Sequence, residues 1–530
     1  MKIQTTLADK FRSGLVAASV SVALFIGIAP AFADGPDKNH DSHLDQELGR
    51  IGHIIVIYQE NWSFDSLYGL FPGADGLANS FGVQAQVDVK ASPPYSALIY
   101  QTPSPLTGFP PAIDPQFPSV NGKLAWTVDH ALPLPLIPYD FTDYIAPNAF
   151  TGDIVHRFYH EQLQIDNGAL EQKKGDLDKF ITWSDNPGLV LSYIDATDLP
   201  EGKLAQKYTL LDQFFHSAYG GSFLNHQWLI AAQTPPWTAP IPAGWPSSYD
   251  PLTKTLADNQ LTFDGKYAVN TIQPLLAPFS PGTPTTKRLL INNTDPSLPG
   301  YTPNIGNRLD DAGINWRWYS GGWNDALSNN VAANAELFQF HHQPFAYYTK
   351  YAPFVAPAPS TNYSTSPPLN PATTGPNAHL QDELNFLADV ASGKLPPVSF
   401  VKPIGKNNEH PGYSDEVTGQ QHVADLVSAV RNSKLWKDSV IIITYDENGG
   451  RWDHVVPPVR DDKWGVGVRV PTIIVSPFVR KGTIDSHEYE TVSILKLIER
   501  RFNLKPLSAR DADPKVSDLT TAFDFENEHD

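Results

Sequence analysis

The sequence predicts an α/β fold built on a mostly parallel central sheet with helices on both faces. Three observations carry that expectation. Short β-branched apolar runs recur at Ile54–Tyr58, Thr209–Phe214, Ile314–Tyr319, Val398–Lys402, Val440–Tyr445 and Thr472–Ser476, and such runs suit strands whose two faces are both covered. Helical periodicity appears between and after them, so that residues 398 to 502 alternate strand, helix, strand, helix, the order that a parallel sheet with covering helices produces. Polar pairs stand immediately after two strands, Glu60-Asn61 and Asp446-Glu447, where ligands bind in open α/β sheets.

The elements follow in order. HIIVIYQENWSFDSLYG, residues 53 to 69, opens with a buried-strand pattern; Ser63 and Asp65 then offer caps for a helix start. LLDQFFHSAYGGSFLNHQWLI, residues 210 to 230, is a strand pattern followed by two glycines and Ser222. INWRWYSGGWND, residues 314 to 325, is strand-like and aromatic, a composition that suits core packing better than a ligand box. Helices are expected at Glu383–Leu395, Gln420–Asn432 and Val492–Phe502. VIIITYDENGGRWDHVVPP, residues 440 to 458, ends its strand on two adjacent acids and two glycines that permit a turn. Neighbouring strand residues face opposite ways, so the chain must bend at each polar pair for both members to serve one site.

The 48 prolines, nearly twice the usual share, concentrate in three stretches near 92–148, 234–302 and 352–376, read as insertions forming a cap over the sheet. Residues 1–33 read as a signal peptide. Lys2, Lys10 and Arg12 precede an apolar Gly14–Ile28 core, and Ala31-Phe32-Ala33 is a small-x-small cleavage site. Residues 34–530 are then expected as one exported domain, periodic repeats and flexible linkers being absent from the sequence. The acidic tail, Asp524 to Asp530, is expected to fray.

The absence of cysteine removes disulfides, thiolate metal sites and cysteine nucleophiles together. A formal charge of −19 argues against nucleic acid or an anionic membrane as the main partner. It leaves room for a small anion in a locally positive pocket, and no stable membrane insertion is expected. Oligomeric state is not legible.

The chemistry-bearing residues are hard oxygen donors. Glu60, Asn61, Asp446 and Glu447 make an oxygen-rich set suited to a divalent cation, with calcium, magnesium or manganese favoured. Each pair taken alone also reads as a helix cap. Ser222 can be a cap, a linker residue or a nucleophile at the positive end of a helix dipole. His156, His341, His342, His410 and His454 sit in polar contexts; a histidine near its usual pKa of about 6.5 donates to anionic oxygens or protonates a leaving group, though each alone reads as structural, the Asp453-His454 pair included. Three motifs fail. His160-Glu161 opens like a zincin helix but Gln164 replaces the second ligand. Gly220 to Leu224 lacks the last glycine of a nucleophile elbow. The Asp37–Asp41 cluster lacks the turn glycine and bidentate acid of a calcium loop.

Together QENWSFDSLYG, HRFYHEQLQIDNG, FHSAYGGSFLNH, FHHQPFAYY, NEHPGYSD, YDENGGRWDHVVPP and RVPTIIVSPFV resemble the bacterial acid phosphatase and non-specific phospholipase C family, a branch of the alkaline phosphatase-like superfamily. The resemblance implies that superfamily's α/β sandwich. It implies one divalent metal on Glu60, Asn61, Asp446, Glu447 and Ser222, with Ser222 as nucleophile. It also implies a histidine shell of His156, His342 and His410 around the phosphoryl group, His410 as proton donor, with His341 competing with His342 to face inwards. The expected activity is exported, metal-dependent acid phosphatase, by way of a phosphoserine, on a small phosphate ester. Alternatives are phospholipase C or another phosphodiesterase on this scaffold and, more distantly, a metal-free serine esterase or an exported binding protein. The family's glycine-proline before the nucleophile is Gly220-Gly221 here, expected to loosen that turn, and its phospholipase C members usually carry threonine at the nucleophile position and a twin-arginine signal.

Overall fold

The computed structural model describes residues 38–80, 85–88, 96–97, 125–126, 137–143, 146–165, 175–237, 248–250, 255–257, 262–263, 266–269, 289–327, 338–353, 375 and 377–526. The signal-peptide segment lies outside these residues, as do the greater parts of the three proline-rich stretches and the last four residues of the tail. The chain divides into two compact units, Met1–Leu44 and Asp45–Asp530; all that follows concerns the second.

Eight strands form its sheet: β1 His53–Gln59, β2 Thr209–Leu211, β3 Trp316–Ser320, β4 Leu380–Asp382, β5 Val398–Lys402, β6 Ser439–Tyr445, β7 Thr472–Val475 and β8 Thr483–Asp485. Their order is β4-β3-β5-β1-β6-β7-β2-β8. β4, β3, β5, β1 and β6 are mutually parallel, and β7 runs antiparallel to both β6 and β2. The α/β expectation therefore holds, with one correction. The strand-helix alternation breaks after β6, where an irregular segment, not a crossover helix, leads into β7 and reverses its direction. Hydrophobic periodicity finds a strand without fixing its sense.

The helices that matter are α1 Phe64–Tyr68, α2 Phe158–Ile165, α3 Pro200–Lys207, α4 Ser222–Ala231, α5 Ile305–Asp311, α6 Glu383–Ser392, α7 Glu416–Arg431 and α8 Thr491–Phe502. Successive residues of β1 identify the two layers. Tyr58 donates to the Asn225 carbonyl of α4 at 3.4 Å, whereas Gln59 shares its register position with Tyr445, whose hydroxyl lies 3.2 Å from Glu201 of α3. Helix α4 thus covers one face with α5 and α8, and α3 covers the other with α7 and α6. Every residue of β5 and β6 is buried, which is why both read as unbroken apolar runs. Each Ile of β6 so enclosed contributes about 1.5–3 kcal/mol. Trp316, Trp318 and Trp323 are also fully buried, so the aromatic segment is core.

Candidate active site

Strand register assembles the site. Gln59 and Tyr445 are in-register neighbours on β1 and β6, so Glu60-Asn61 and Asp446-Glu447 leave the same end of the sheet side by side. The bend that each pair requires is present. Asn61 has φ +63°, and Gly449 and Gly450 have φ +59° and +72°. A Cβ on Gly449 would lie 2.7 Å from the Asn61 carbonyl oxygen, so glycine is needed for the two loops to touch. The Asn61 amide donates to Asp446 Oδ1 at 3.1 Å and the Gly449 amide to Glu447 Oε2 at 2.7 Å.

Ser222 is the first residue of α4, and its Oγ donates to Glu60 Oε2 at 3.1 Å. The preceding turn is braced from both sides and is not the loose one expected from its sequence. Gly220 has φ +84° and lies against Phe158, where a Cβ would approach the backbone nitrogen to 2.2 Å. Its amide donates to Glu161 Oε2, while Asn225 Nδ2 donates to the Ala218 and Gly220 carbonyls at 3.0 and 2.8 Å. Glu161, the remnant of the failed zincin motif, therefore supports the serine turn; its other oxygen sits 2.8 Å from His216 Nε2.

The histidines divide into two groups. Nε2 of His410 and of His156 lie 2.9 and 3.5 Å from Asn61 Nδ2, and each Nδ1 meets a backbone carbonyl, Pro411 at 2.6 Å and Ile154 at 2.5 Å. The Nδ1 atoms are the donors, so both Nε2 atoms present lone pairs to the site. His342 Nε2 lies 3.2 Å from Glu60 Oε1, while His341 packs edge-on against the His342 ring. Of the two neighbours, His342 faces the acids. His454 is elsewhere: its Nδ1 is 2.7 Å from Asp65 Oδ2.

Two residues escaped the sequence reading. His226, four residues after Ser222 on the same face of α4, stacks on His342 at 5.0 Å and sets Nε2 3.8 Å from Glu60 Oε1; that helical spacing was visible. Lys402, the last residue of β5, is wholly buried, with Nζ on Glu60 Oε1 and 2.9 Å from the Tyr58 carbonyl.

Burial raises the pKa of Glu60, and raises those of Asp446 and Glu447 further, each of these two being pushed again by its acidic neighbour. Crowded carboxylates under this strain call for a cation. The imidazoles move the other way. Burial lowers His156 to about 4 and His341 to about 3, and holds His342, His226 and His410 well below the usual histidine value. The resting site thus contains neutral histidines, not the cations expected from their ordinary pKa. The donor set fits a metal. The buried carboxylates of Glu60, Asp446 and Glu447 converge beside Asn61 and the Ser222 hydroxyl; on the other flank of Glu60, Nε2 of both His226 and His342 is buried without a hydrogen bond. Glu60, His226 and His342 each place a ligand atom within 4.8 Å of the others, as do Asp153, His156 and His410.

The chain is similar to non-specific phospholipase C6 of Arabidopsis thaliana, 37% identical over 182 residues, 27% of this chain and 35% of that protein. Phospholipase C B of Mycobacterium tuberculosis is 25% identical over 544 residues, 96% of this chain and 84% of the relative. Among solved structures, a protein in the alkaline phosphatase superfamily from Vibrio parahaemolyticus aligns at 10% identity and a TM-score of 0.30, over 62% of this chain and 64% of its own. The phosphoesterase family model matches residues 51–505. That span holds β1, β6 and every side chain gathered above, and the chain belongs to the phosphoesterase family.

Proposed function

We propose that this chain is an exported phosphomonoesterase acting through a phosphoserine on Ser222, with one divalent cation held by Glu60, Asn61, Asp446, Glu447 and Ser222. The bound cation supplies charge neutralisation for the phosphoryl oxygens and favours ionisation of the serine hydroxyl. Glu60 Oε2, already the acceptor of the Ser222 hydroxyl at 3.1 Å, takes its proton. Oγ forms the new bond to phosphorus as the ester P–O bond breaks on the opposite side. Water then hydrolyses the phosphoserine and releases phosphate.

The observation that carries the monoester reading is the pair of unprotonated Nε2 atoms on His410 and His156, both turned to Asn61. A neutral imidazole cannot donate to the leaving alkoxide until it gains a proton. A phosphomonoester monoanion brings one, with its second ionisation near pH 6. The phosphoryl charge arriving beside His410 offsets the burial that keeps it neutral and favours the imidazolium, so Nε2 takes that proton and passes it to the departing alcohol. Activity on monoesters is accordingly expected to fall above about pH 6 as the substrate loses its proton. A phosphodiester has no such proton to deliver.

Phospholipase C activity is the second reading, favoured by the names of the relatives that align along nearly the whole chain. Turnover of p-nitrophenyl phosphate against p-nitrophenyl phosphorylcholine over pH 4 to 9 separates the two. The proposal expects the monoester to dominate with an acid optimum; dominance of the choline diester installs the second reading. Ser222→Ala is expected to lower turnover by on the order of 10⁴-fold or more. Acid-quenched wild-type enzyme should yield a peptide carrying phosphate on Ser222, and a wild-type-like rate in the variant removes the nucleophile.

A further inference from the structure

We propose that Lys402 is the site's built-in second cation, limiting the centre to a single divalent ion. The inference rests on the metal reading above and concerns how many ions the site accepts. Register places the side chain. Val401 pairs with Ile57, so Lys402 stands beside Tyr58 and projects to the same face, the one covered by α4 and Ser222. Its Nζ reaches the Tyr58 carbonyl at 2.9 Å, the Gln59 carbonyl at 3.5 Å and Glu60 Oε1. These three acceptors match the three N–H donors of an ammonium, and the Tyr58 ring lies beneath it at 5.4 Å. A fully buried lysine with this partner set is held in one place by its three acceptors.

The charges then balance in one way. Glu60, Asp446 and Glu447 are three buried carboxylates, and Lys402 offsets one of them. Two negative charges remain, the complement of one divalent ion. The other flank of Glu60 is equipped for a further metal. His226 Nε2 and His342 Nε2 face Oε1 at 3.8 and 3.2 Å, are buried and lack hydrogen bonds. Two imidazoles and a carboxylate are a ligand set suited to zinc. Lys402 occupies that same Oε1 and repels a cation approaching it. The two-metal arrangement used by many phosphoryl-transfer sites is thereby reduced to one metal and one ammonium.

Replacing the ammonium with a neutral side chain should admit the second ion. Metal-stripped wild-type protein and Lys402→Met are loaded with excess zinc at pH 7.5, freed of unbound metal by gel filtration and counted by elemental analysis, with circular dichroism as the check of folding. One zinc per wild-type chain, two per Lys402→Met chain and a return to one in Lys402→Met/His226→Ala are expected. Lys402→Gln, which keeps an N–H for the Tyr58 carbonyl, serves the same count where Lys402→Met fails to fold. Two ions in the wild type, or one in the folded neutral variant, overturn the inference while leaving the metal reading intact. A wild-type chain that takes up neither zinc nor, loaded in the same way, calcium, magnesium or manganese overturns the metal reading and this inference with it.

Discussion

The loops after β1 and β6 are joined to each other twice, by two acidic clusters that balance their charge differently. At the first junction Glu60, Asp446 and Glu447 meet Lys402, and carboxylates outnumber the resident lysine three to one. A few residues further along the same loops, Asp65 and Asp453 meet Arg469. All five N–H donors of its guanidinium are placed: on Asp453 Oδ1 and Oδ2 at 2.9 and 3.2 Å, on Asp65 Oδ1 at 3.0 Å, and on the Asp75 and Asp212 carbonyls at 2.6 and 2.7 Å. His454 completes the cluster. Burial works against its charge, but the bond to Asp65 prevails and its pKa is raised. Both junctions bring together acids and imidazole in the way a metal site does. The second supplies its own arginine and is a rivet; the first is left short of resident positive charge, the shortfall that the proposed divalent ion would meet. Counting resident cations, rather than acids, separates a metal centre from a structural salt bridge.

That contrast breaks most readily at the first junction. Asp446→Asn should lower activity by more than about 100-fold and reduce bound metal, since losing even an outer partner of a ligand costs 10–100-fold. In the metal-free state the same variant should melt above the wild type, because a strained buried charge has gone. Calorimetry with and without chelator reads both effects, and an unchanged metal content removes Asp446 from the centre. Asp453→Asn should do the reverse. Removing one of the two carboxylates that face the buried Arg469 should cost up to about 3–5 kcal/mol, visible in urea unfolding, while metal per folded chain stays at the wild-type level. A loss of metal without a loss of stability would make the second junction functional too.

The smallest effect sharpens the comparison from behind the site. Glu409, next to His410 at φ +69°, is raised by burial to about 7; its oxygens accept from Gln59 at 2.8 Å and Tyr445 at 2.7 Å, with Glu201 close by. Its folded pKa exceeds its unfolded value near 4.5, so the stability it contributes is complete below pH 4.5 and is lost as pH rises through 7. Glu409→Gln should flatten the fall in melting temperature across that window. A slope identical to the wild type's assigns the proton elsewhere.

Much of this was legible in the sequence because isoleucine-rich runs announce buried strands and polar pairs announce their ends. The strands at 54–58, 398–402 and 440–445 needed only a residue or so of adjustment, and the bends at Asn61 and Gly449 were required by side-chain alternation. What stayed hidden depends on neighbours in space. Lys402 is only the last residue of an expected strand until register sets it beside Tyr58. The neutrality of His410 and His156 comes from burial, which no spacing encodes. The reversed β7 was legible only negatively, in the missing helical period between 446 and 471. The Gly220-Gly221 turn misled for a similar reason: its rigidity comes from Glu161 and Asn225, one of them 59 residues upstream of Gly220.

Register also ties the site to the order in which the polypeptide is made. Asn61 and Asp446, bonded to each other, are 385 residues apart, and among the described residues β1 pairs with β5 and β6. At roughly 5–20 residues per second a ribosome delivers the first half of the proposed ion site some 20–80 seconds before the second. Until β5 is made, β1 is an apolar segment without either of these sheet partners, and a chain cut short before Ser439 carries half of the proposed ion site.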